Sequence, residues 1–435
     1  METVDPPQPV PVAAGFTVAH QKVDLDITFD QRVHGTTEIT IYPDSPDLKE
    51  IRLHGRQCEI RKVLVNNIPP SSVRHQDPCR QLTLHSDASV NQHHLLLEKI
   101  SNSVAGEPEP DLIVTLPKKV RIVPVHVADI HTQSHDLIRV PEADIGGASA
   151  TGPGLSDTTV ARFTPLTVII EFESCHIRES VQFVSGRPGS GRWPHAYTRT
   201  KLGSGGASSL FPCMDRLNSR CTWDISIKCP RTVGDAVNQV LPHGSTRASL
   251  GNQAKDAARQ NYEGKDMIVI CSGELTDDIV DKADNTKKTM SFSCLQQLAP
   301  EQLGFAIGPF ERVNLSEFRD AQEVEELGRN AVEMLAFCLP GRTEETKNTC
   351  LPMTKAMDFV VQKYISCPER SYSMCFVEDL QTDTSIHAGV TMCSTRLLYP
   401  DGVIDPAQEI TRQLAHAIVS QWIGINIVAT EPRDN

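Results

Sequence analysis

The chain has 435 residues, 39% of them apolar, and a formal net charge of −13. That length accommodates two or three domains, and the apolar share supplies a real core. The charge argues against a general nucleic-acid or anionic-membrane surface, and no apolar run approaches the roughly 18 residues that a membrane helix needs.

Residues 1–14 are acidic and Pro-rich and match neither a signal peptide nor a mitochondrial presequence, so a flexible lead is expected. Residues 23–30 alternate apolar and polar side chains, the mark of a half-buried strand with its acids in water. Residues 36–42 alternate again and stop at Pro43. Strands at 51–54 and 60–65 follow, and Asn66-Asn67 with Pro69-Pro70 predicts a turn. Further strands are predicted at 95–98, 112–116, 120–125 and 166–172. Residues 141–160 and 244–265 read as disordered polar insertions, and 186–192 and 203–209 as flexible Gly/Ser loops. No Gly-Lys-Ser/Thr follows either loop, so neither is a phosphate loop. Strands return at 223–229, 267–271, 290–294 and 305–307. Short strands with this turn punctuation predict an antiparallel sheet or sandwich.

Beyond Phe310 the period changes. Val324, Leu327, Ala331, Leu335 and Leu339 share one helical face, closed by Pro340-Gly341. Met353, Met357, Val360, Val361 and Tyr364 mark a second helix ending near Cys367-Pro368. A short strand is predicted at 374–377. Asp405 as N-cap and Pro406 at the first helical position open a third helix over 408–424. Its Ile410, Leu414, Ile418 and Trp422 stack on one face, while Ala415, Ala417, Val419 and Ile423 leave little polar surface. A buried helix with His416 at its centre is expected. A boundary near 312 then separates an all-β domain, 15–311, from an α+β domain, 312–435.

Thirteen cysteines are present, with no Cys-x-x-Cys pair. Cys229, Cys294 and Cys338 sit inside apolar patterns, which suits reduced, packed thiols of the cytosol or nucleus. The spacing Cys213-x7-Cys221-x7-Cys229 is too wide and strand-like for a zinc knuckle.

His416 raises the question of zinc. A helical His-Glu-x-x-His motif places two imidazoles on one face and a Glu beside the first as general base for the metal-bound water. Here the frame reads His416-Ala417-Ile418-Val419-Ser420. Ala417 stands where the base belongs and Ser420 where the second ligand belongs. No catalytic residue, metal site or cofactor is therefore expected, and His416, Ala417 and Ser420 are vestigial positions.

The context of that frame resembles the M1 aminopeptidases, whose zinc helix runs on into Gln-Trp-Phe-Gly-Asn; Gln421-Trp422-Ile423-Gly424 follows here. The family's Phe-Pro-Cys-x-Asp block matches Phe211-Pro212-Cys213-Met214-Asp215. Phe305-Ala306-Ile307-Gly308-Pro309-Phe310 resembles its closing β-strand, and Ala356-Met357-Asp358-Phe359 the helix before its amine-binding loop. That loop is Gly-Ala-Met-Glu-Asn in active members. The local match here is Ala388-Gly389-Val390-Thr391-Met392, and no Glu occurs between Asp379 and Gln408. The resemblance implies a saddle-shaped N-terminal β-domain followed by a truncated α+β thermolysin-like domain, in a fragment that stops inside the latter. The zinc-and-base helix and the amine loop are both altered. That pattern is similar to a non-peptidase line of the family, the aminopeptidase-like TATA-binding-protein-associated factors of general transcription factor TFIID.

Stretches that resemble this line include Phe16-Thr17-Val18-Ala19-His20, Gly35-Thr36-Thr37-Glu38-Ile39, Arg220-Cys221-Thr222-Trp223 and Phe337-Cys338-Leu339-Pro340-Gly341-Arg342. The long polar insertions look fungal in style. The resemblance implies a nuclear, non-catalytic scaffold with other TFIID subunits as partners and core-promoter DNA engaged in the full complex. It implies roles in preinitiation complex assembly for RNA polymerase II and no membrane association. Two alternatives stand beside it. One is a zinc aminopeptidase with a degenerate site, recruiting His387 or Glu409 to His416 and lacking the roughly 10²–10⁴-fold of a general base. The other is a pseudo-enzyme that binds peptides in the old cleft. Lys118-Lys119-Val120-Arg121, the densest basic stretch, reads as an exposed strand edge.

Overall fold

The structure, a computed structural model, describes residues 14–77, 94–95, 110–125, 163–175, 180–186, 192–199, 206–240, 264–319, 325, 327–363 and 370–428. In chain order these give β1 (Phe16–Thr28), β2 (Arg32–Pro43), β3 (Glu50–Leu53), β4 (Glu59–Val65), β5 (Ser72–His75), β6 (Leu112–Thr115) and β7 (Leu166–Cys175). Then come β8 (Val181–Val184), β9 (His195–Thr198), β10 (Cys221–Pro230), α1 (Val233–Val240), β11 (Ile268–Cys271), β12 (Glu274–Val280), β13 (Lys287–Leu298) and β14 (Phe305–Gly308). The rest supplies β15 (Glu311–Asn314), β16 (Glu333–Cys338), α2 (Thr343–Cys350), α3 (Met353–Lys363), β17 (Ser371–Val377), β18 (Thr384–His387), β19 (Val390–Ser394) and α4 (Ala407–Val419).

The strands assemble into four sheets. The largest runs β12-β13-β10-β1-β2-β7-β4, and a three-stranded sheet runs β3-β6-β5. A four-stranded sheet runs β11-β14-β9-β8, its strands interleaved in sequence with those of the largest sheet, and a five-stranded one runs β15-β16-β17-β19-β18. The antiparallel sheet expected before Phe310 is corrected at one pairing, since β1 runs parallel to β10. In the later sheet β16 with β17 and β17 with β19 are also parallel. The switch of sheets falls between Gly308 and Glu311.

Alternation explains the large sheet. Val23, Leu25 and Ile27 are buried while Asp24 and Asp26 face outward. Asn66 and Asn67 both take positive φ, 49° and 61°, and Val65 bridges to Ile68, so the predicted turn forms. Trp223 is fully buried and its indole N–H donates to the Leu298 carbonyl at 2.9 Å. Gln21, buried beside it in the sheet, donates to Thr37 Oγ1 at 2.7 Å and to the Pro212 carbonyl at 3.0 Å.

The Phe211 to Asp215 block is pinned from several sides. Cys213 and His54 exchange backbone hydrogen bonds of 2.8 and 3.0 Å. Asp215 accepts from the Ser208 N–H at 2.8 Å, and its own N–H donates to His54 Nδ1 at 3.0 Å. This corrects the loop expected at 203–209 in its described part. Ala207–Ser209 is a buried 3₁₀ turn, because Asp215 satisfies its backbone and Ser209 Oγ bonds Ser180 Oγ at 2.8 Å.

Three further expectations are corrected. Residues 333–338 form β16 rather than the end of a helix, because they pair with β15 and β17, and Met334 and Ala336 to Cys338 are buried. Leu327 is helical, but a 3₁₀ turn at Gly328–Asn330 ends that path. Residues 120–125 make a single bridge, Pro124 to Phe163, and Lys118-Lys119 sits in a turn rather than on a strand edge. Leu95 is helical; the rest of the strand expected at 95–98 lies outside the described residues, as do residues 141–160, 244–263 and Tyr364 to Pro368. Asp405 does not cap α4. Pro406 is the N-cap and no side chain caps the helix.

The ten described free cysteines, Cys229, Cys294 and Cys338 among them, are all buried. Burial pushes the Cys229 thiol up to about 12, which leaves it protonated and unreactive at neutral pH.

Gly35 is required by close approach. A Cβ there would lie 2.4 Å from Cζ of Phe172, a ring packed in the core of the large sheet. Gly35→Ala is expected to cost about 1–3 kcal/mol in urea unfolding, with Phe172→Leu in the same chain recovering part of it. Unchanged stability would show that the ring yields freely.

Candidate functional site

Helix α4 carries His416 to Val419 of the frame compared with a zinc helix, and Ser420 follows as its C-cap. It packs through Ile410, Leu414 and Ile418 into a core shared with Met353, Met357, Val360, Tyr372 and Met374, that is, onto α3 and β16–β17. The periodicity of the sequence identified that face. The expectation of a helix buried all round is corrected: Gln408, Glu409, Arg412 and His416 are exposed, because nothing among the described residues covers that side.

His416 thus faces solvent on the open side. Ala417 is fully buried, so its side chain faces protein rather than solvent. A carboxylate there would be desolvated without a partner. Ser420 lies just past the helix end. Its Oγ donates to the His416 carbonyl at 2.8 Å, and its N–H to the same oxygen at 3.0 Å. The hydroxyl is therefore spent on closing the last turn.

The two distant ligands weighed for a degenerate zinc site are both committed elsewhere. Glu409 accepts from Arg412 at 3.0 and 2.5 Å and from Gln413 Nε2 at 3.1 Å. His387 is not a loop residue. It ends β18, fully buried, with Ser385 Oγ 3.2 Å from its Nε2. Burial pushes its pKa down to about 4, so the ring is neutral at physiological pH. A Cβ at Gly304 would lie 2.4 Å from the His387 ring, so this glycine admits the imidazole. Among the described residues no three His, Cys, Asp or Glu side chains gather to hold a metal ion.

The match to the amine-binding loop spans the turn between β18 and β19. Ala388, Val390, Thr391 and Met392 are all buried. Thr391 Oγ1 lies 2.7 Å from the Tyr372 hydroxyl, so its one polar atom is engaged. Gln421, quoted in the sequence only as context, proves to organise this turn. Its Oε1 accepts from the Gly389 N–H at 3.0 Å and its Nε2 donates to the His387 carbonyl at 3.1 Å. Gly389 takes φ +67°, which a side chain would resist.

The same region is fastened to the first sheets. The Gln302 carbonyl accepts from the Ala388 N–H at 2.8 Å, and its Nε2 donates to the Ile425 carbonyl at 2.8 Å. Arg220 donates to the carbonyls of Ile425 and Asn426, each at 2.9 Å, and of Gln297 at 2.9 Å. Arg192 pairs with Glu378 and Asp379. His195, fully buried, accepts at Nε2 from the Glu378 N–H at 3.1 Å, while Nδ1 lies 2.9 Å from the Trp193 carbonyl. That pattern fixes the neutral tautomer with its proton on Nδ1, and burial lowers its pKa.

No family model matches the chain. It is 29% identical over 94% of its length to "Transcription initiation factor TFIID subunit 2" of Schizosaccharomyces pombe, covering 33% of that protein. The protein of the same name in Saccharomyces cerevisiae is 26% identical over 96% of the chain and is covered over 36%. That of Drosophila melanogaster is 24% identical over 99% and is covered over 29%. The chain thus spans about a third of the length of these relatives. Among solved structures it resembles native yeast LTA4 hydrolase, with TM-score 0.59, 12% identity and coverage of 96% of this chain and 47% of that one. An M1 zinc metallopeptidase from Deinococcus radiodurans gives TM-score 0.54, 14% identity and coverage of 95% and 65%. The chain is similar in sequence to the TFIID subunit 2 proteins and has an M1 peptidase-like, sheet-rich fold.

Two outcomes are expected. Gln421→Ala leaves the Gly389 N–H and the His387 carbonyl buried without partners and should cost about 2–4 kcal/mol in chemical unfolding; a loss within error would remove Gln421 from this role. His195 and His387 are neutral when folded and titrate near 6.5 when unfolded, so stability is complete above that pH and falls as pH drops toward about 4. His387→Gln should flatten that acid limb in unfolding curves taken across the window, and an unchanged slope would refute the assignment.

Proposed function

We propose that this chain is a non-catalytic scaffold region of a TFIID subunit, acting in core-promoter recognition and preinitiation complex assembly for RNA polymerase II in the nucleus. The observation that carries the reading is similarity to TFIID subunit 2 proteins across nearly the whole chain, with the frame His416-Ala417-Ile418-Val419-Ser420 where a zinc peptidase needs His-Glu-x-x-His. In this reading residues 15–311 form a saddle-shaped β-domain and residues 312–435 a thermolysin-like pseudo-catalytic domain. The partners are other TFIID subunits, and promoter DNA is engaged through the assembled complex. No helix among the described residues is long and apolar enough to cross a membrane.

The geometry supports the absence of peptidase chemistry. Catalytic zinc takes three protein ligands and an open position for water. Ser420 serves its own helix, Glu409 serves Arg412, and His387 is sequestered in the fold.

The test is to tag the product at its own locus, purify it gently from nuclear extract and identify its companions by mass spectrometry. The TATA-binding protein and its associated factors are expected, with substoichiometric zinc in the purified material. Recovery of the chain alone, or with one tightly held zinc and aminopeptidase turnover, would overturn the proposal.

A further inference from the structure

Strand β12 ends the seven-stranded sheet, pairing with β13 alone among the described strands. All seven of its residues, Glu-Leu-Thr-Asp-Asp-Ile-Val, are exposed. Leu275, Ile279 and Val280 stand 54%, 55% and 39% exposed. An edge strand presents a row of backbone donors and acceptors, and native proteins usually guard it with lysine, proline or a very short length. This one has neither lysine nor proline; it carries three carboxylates and an irregularity in register between Leu275 and Asp277.

The register says which side chains share a face. Leu275 lies opposite Phe292, Asp278 opposite Met290 and Val280 opposite Lys288. Phe292, Met290 and Lys288 are buried, so Leu275, Asp278 and Val280 extend the core-facing side beyond its cover. Glu274, Asp277 and Ile279 lie opposite Ser293, Ser291 and Thr289 and take the other side. Each face therefore offers apolar carbon flanked by carboxylate. Lys288 Nζ lies 3.7 Å from Asp278, which stays 47% exposed.

We propose that β12 is the docking edge for an extended segment of a partner protein that bears lysine or arginine among apolar residues and joins the sheet as an eighth strand. Backbone hydrogen bonds supply affinity in this mode, and side chains on alternate faces supply specificity. The charge selects the occupant. A second copy of β12 would bring Glu274, Asp277 and Asp278 against their own kind, and like charges across a strand pair destabilise it. Nucleic acid is repelled by the same carboxylates. A basic strand meets opposite charge on both faces while covering Leu275, Ile279 and Val280. The proposal holds whether or not the companions of this chain are TFIID subunits.

The experiment places the photo-crosslinking residue p-benzoylphenylalanine at position 279 of the full chain, expressed from its own locus. Native complexes are irradiated and the adduct is sequenced by mass spectrometry. The expected adduct is one segment of a different protein with lysine or arginine among apolar residues. It should fall about tenfold or more when Asp277→Lys and Asp278→Lys are combined. A synthetic peptide of the captured segment should bind the unmodified chain, and its version with Lys and Arg changed to Glu should not, which tests the charge rule without altering the chain. An adduct to this chain itself, a captured segment without basic residues, binding indifferent to either charge reversal, or no adduct would each overturn the proposal.

Discussion

The fully buried side chain and carbonyl of Gln302 join stretches of chain that lie far apart in sequence. It touches the turn after β18 through the Ala388 N–H and the segment after α4 through the Ile425 carbonyl, and its Oε1 accepts from the Ala299 N–H at 3.0 Å. Three hydrogen bonds from one buried amide residue are costly to lose, because each partner would be left dry and unpaired. The relation between the first sheets and the vestigial helix depends on this residue and on Arg220 and Gln421 around it. Apolar packing reinforces the joint. Tyr197, Ile270 and Phe310 on one side share a core with Phe337, Cys375, Val377 and Met392 on the other.

This joint gives the altered site its character. In an active metallopeptidase the helix and the loop beside it present ligands, a base and an amine anchor to a cleft. Here the residues of α4 and of the turn before β19 make structural contacts or face solvent. Ala417 is inside, Ser420 closes the helix, and the turn from Ala388 to Met392 is packed. Gln421 holds that turn to the helix end through the Gly389 N–H and the His387 carbonyl.

Much of the fold was legible from residue order. Alternation marked β1 and β2, since one face of each meets the core and the other meets water or a neighbouring layer. The four-residue period of Ile410, Leu414 and Ile418 found the buried stripe of α4. The failures share a cause. Residues 334–338 are apolar on both sides because β16 is an interior strand of a partly parallel sheet, and such a run has no period of its own. Residues 207–209 look like loop composition, yet distant groups, Asp215 and Ser180, bury them. Short strands such as β8, β9 and β18 carry too few residues for any period to emerge.

The sequence by itself determined that no His-Glu-x-x-His frame starts at His416, because Ala417 and Ser420 are fixed by residue type at those spacings. It also determined which face of α4 meets the core, because periodicity and burial are the same fact seen twice. Tertiary structure alone decided that His416 lies in the open, that His195 and His387 are buried and neutral, and that Gln302, Arg220 and Gln421 form the joint. Those outcomes rest on contacts between residues tens to hundreds of positions apart. No local pattern encodes such contacts, since an isolated Gln or His reads alike on a surface and in a core.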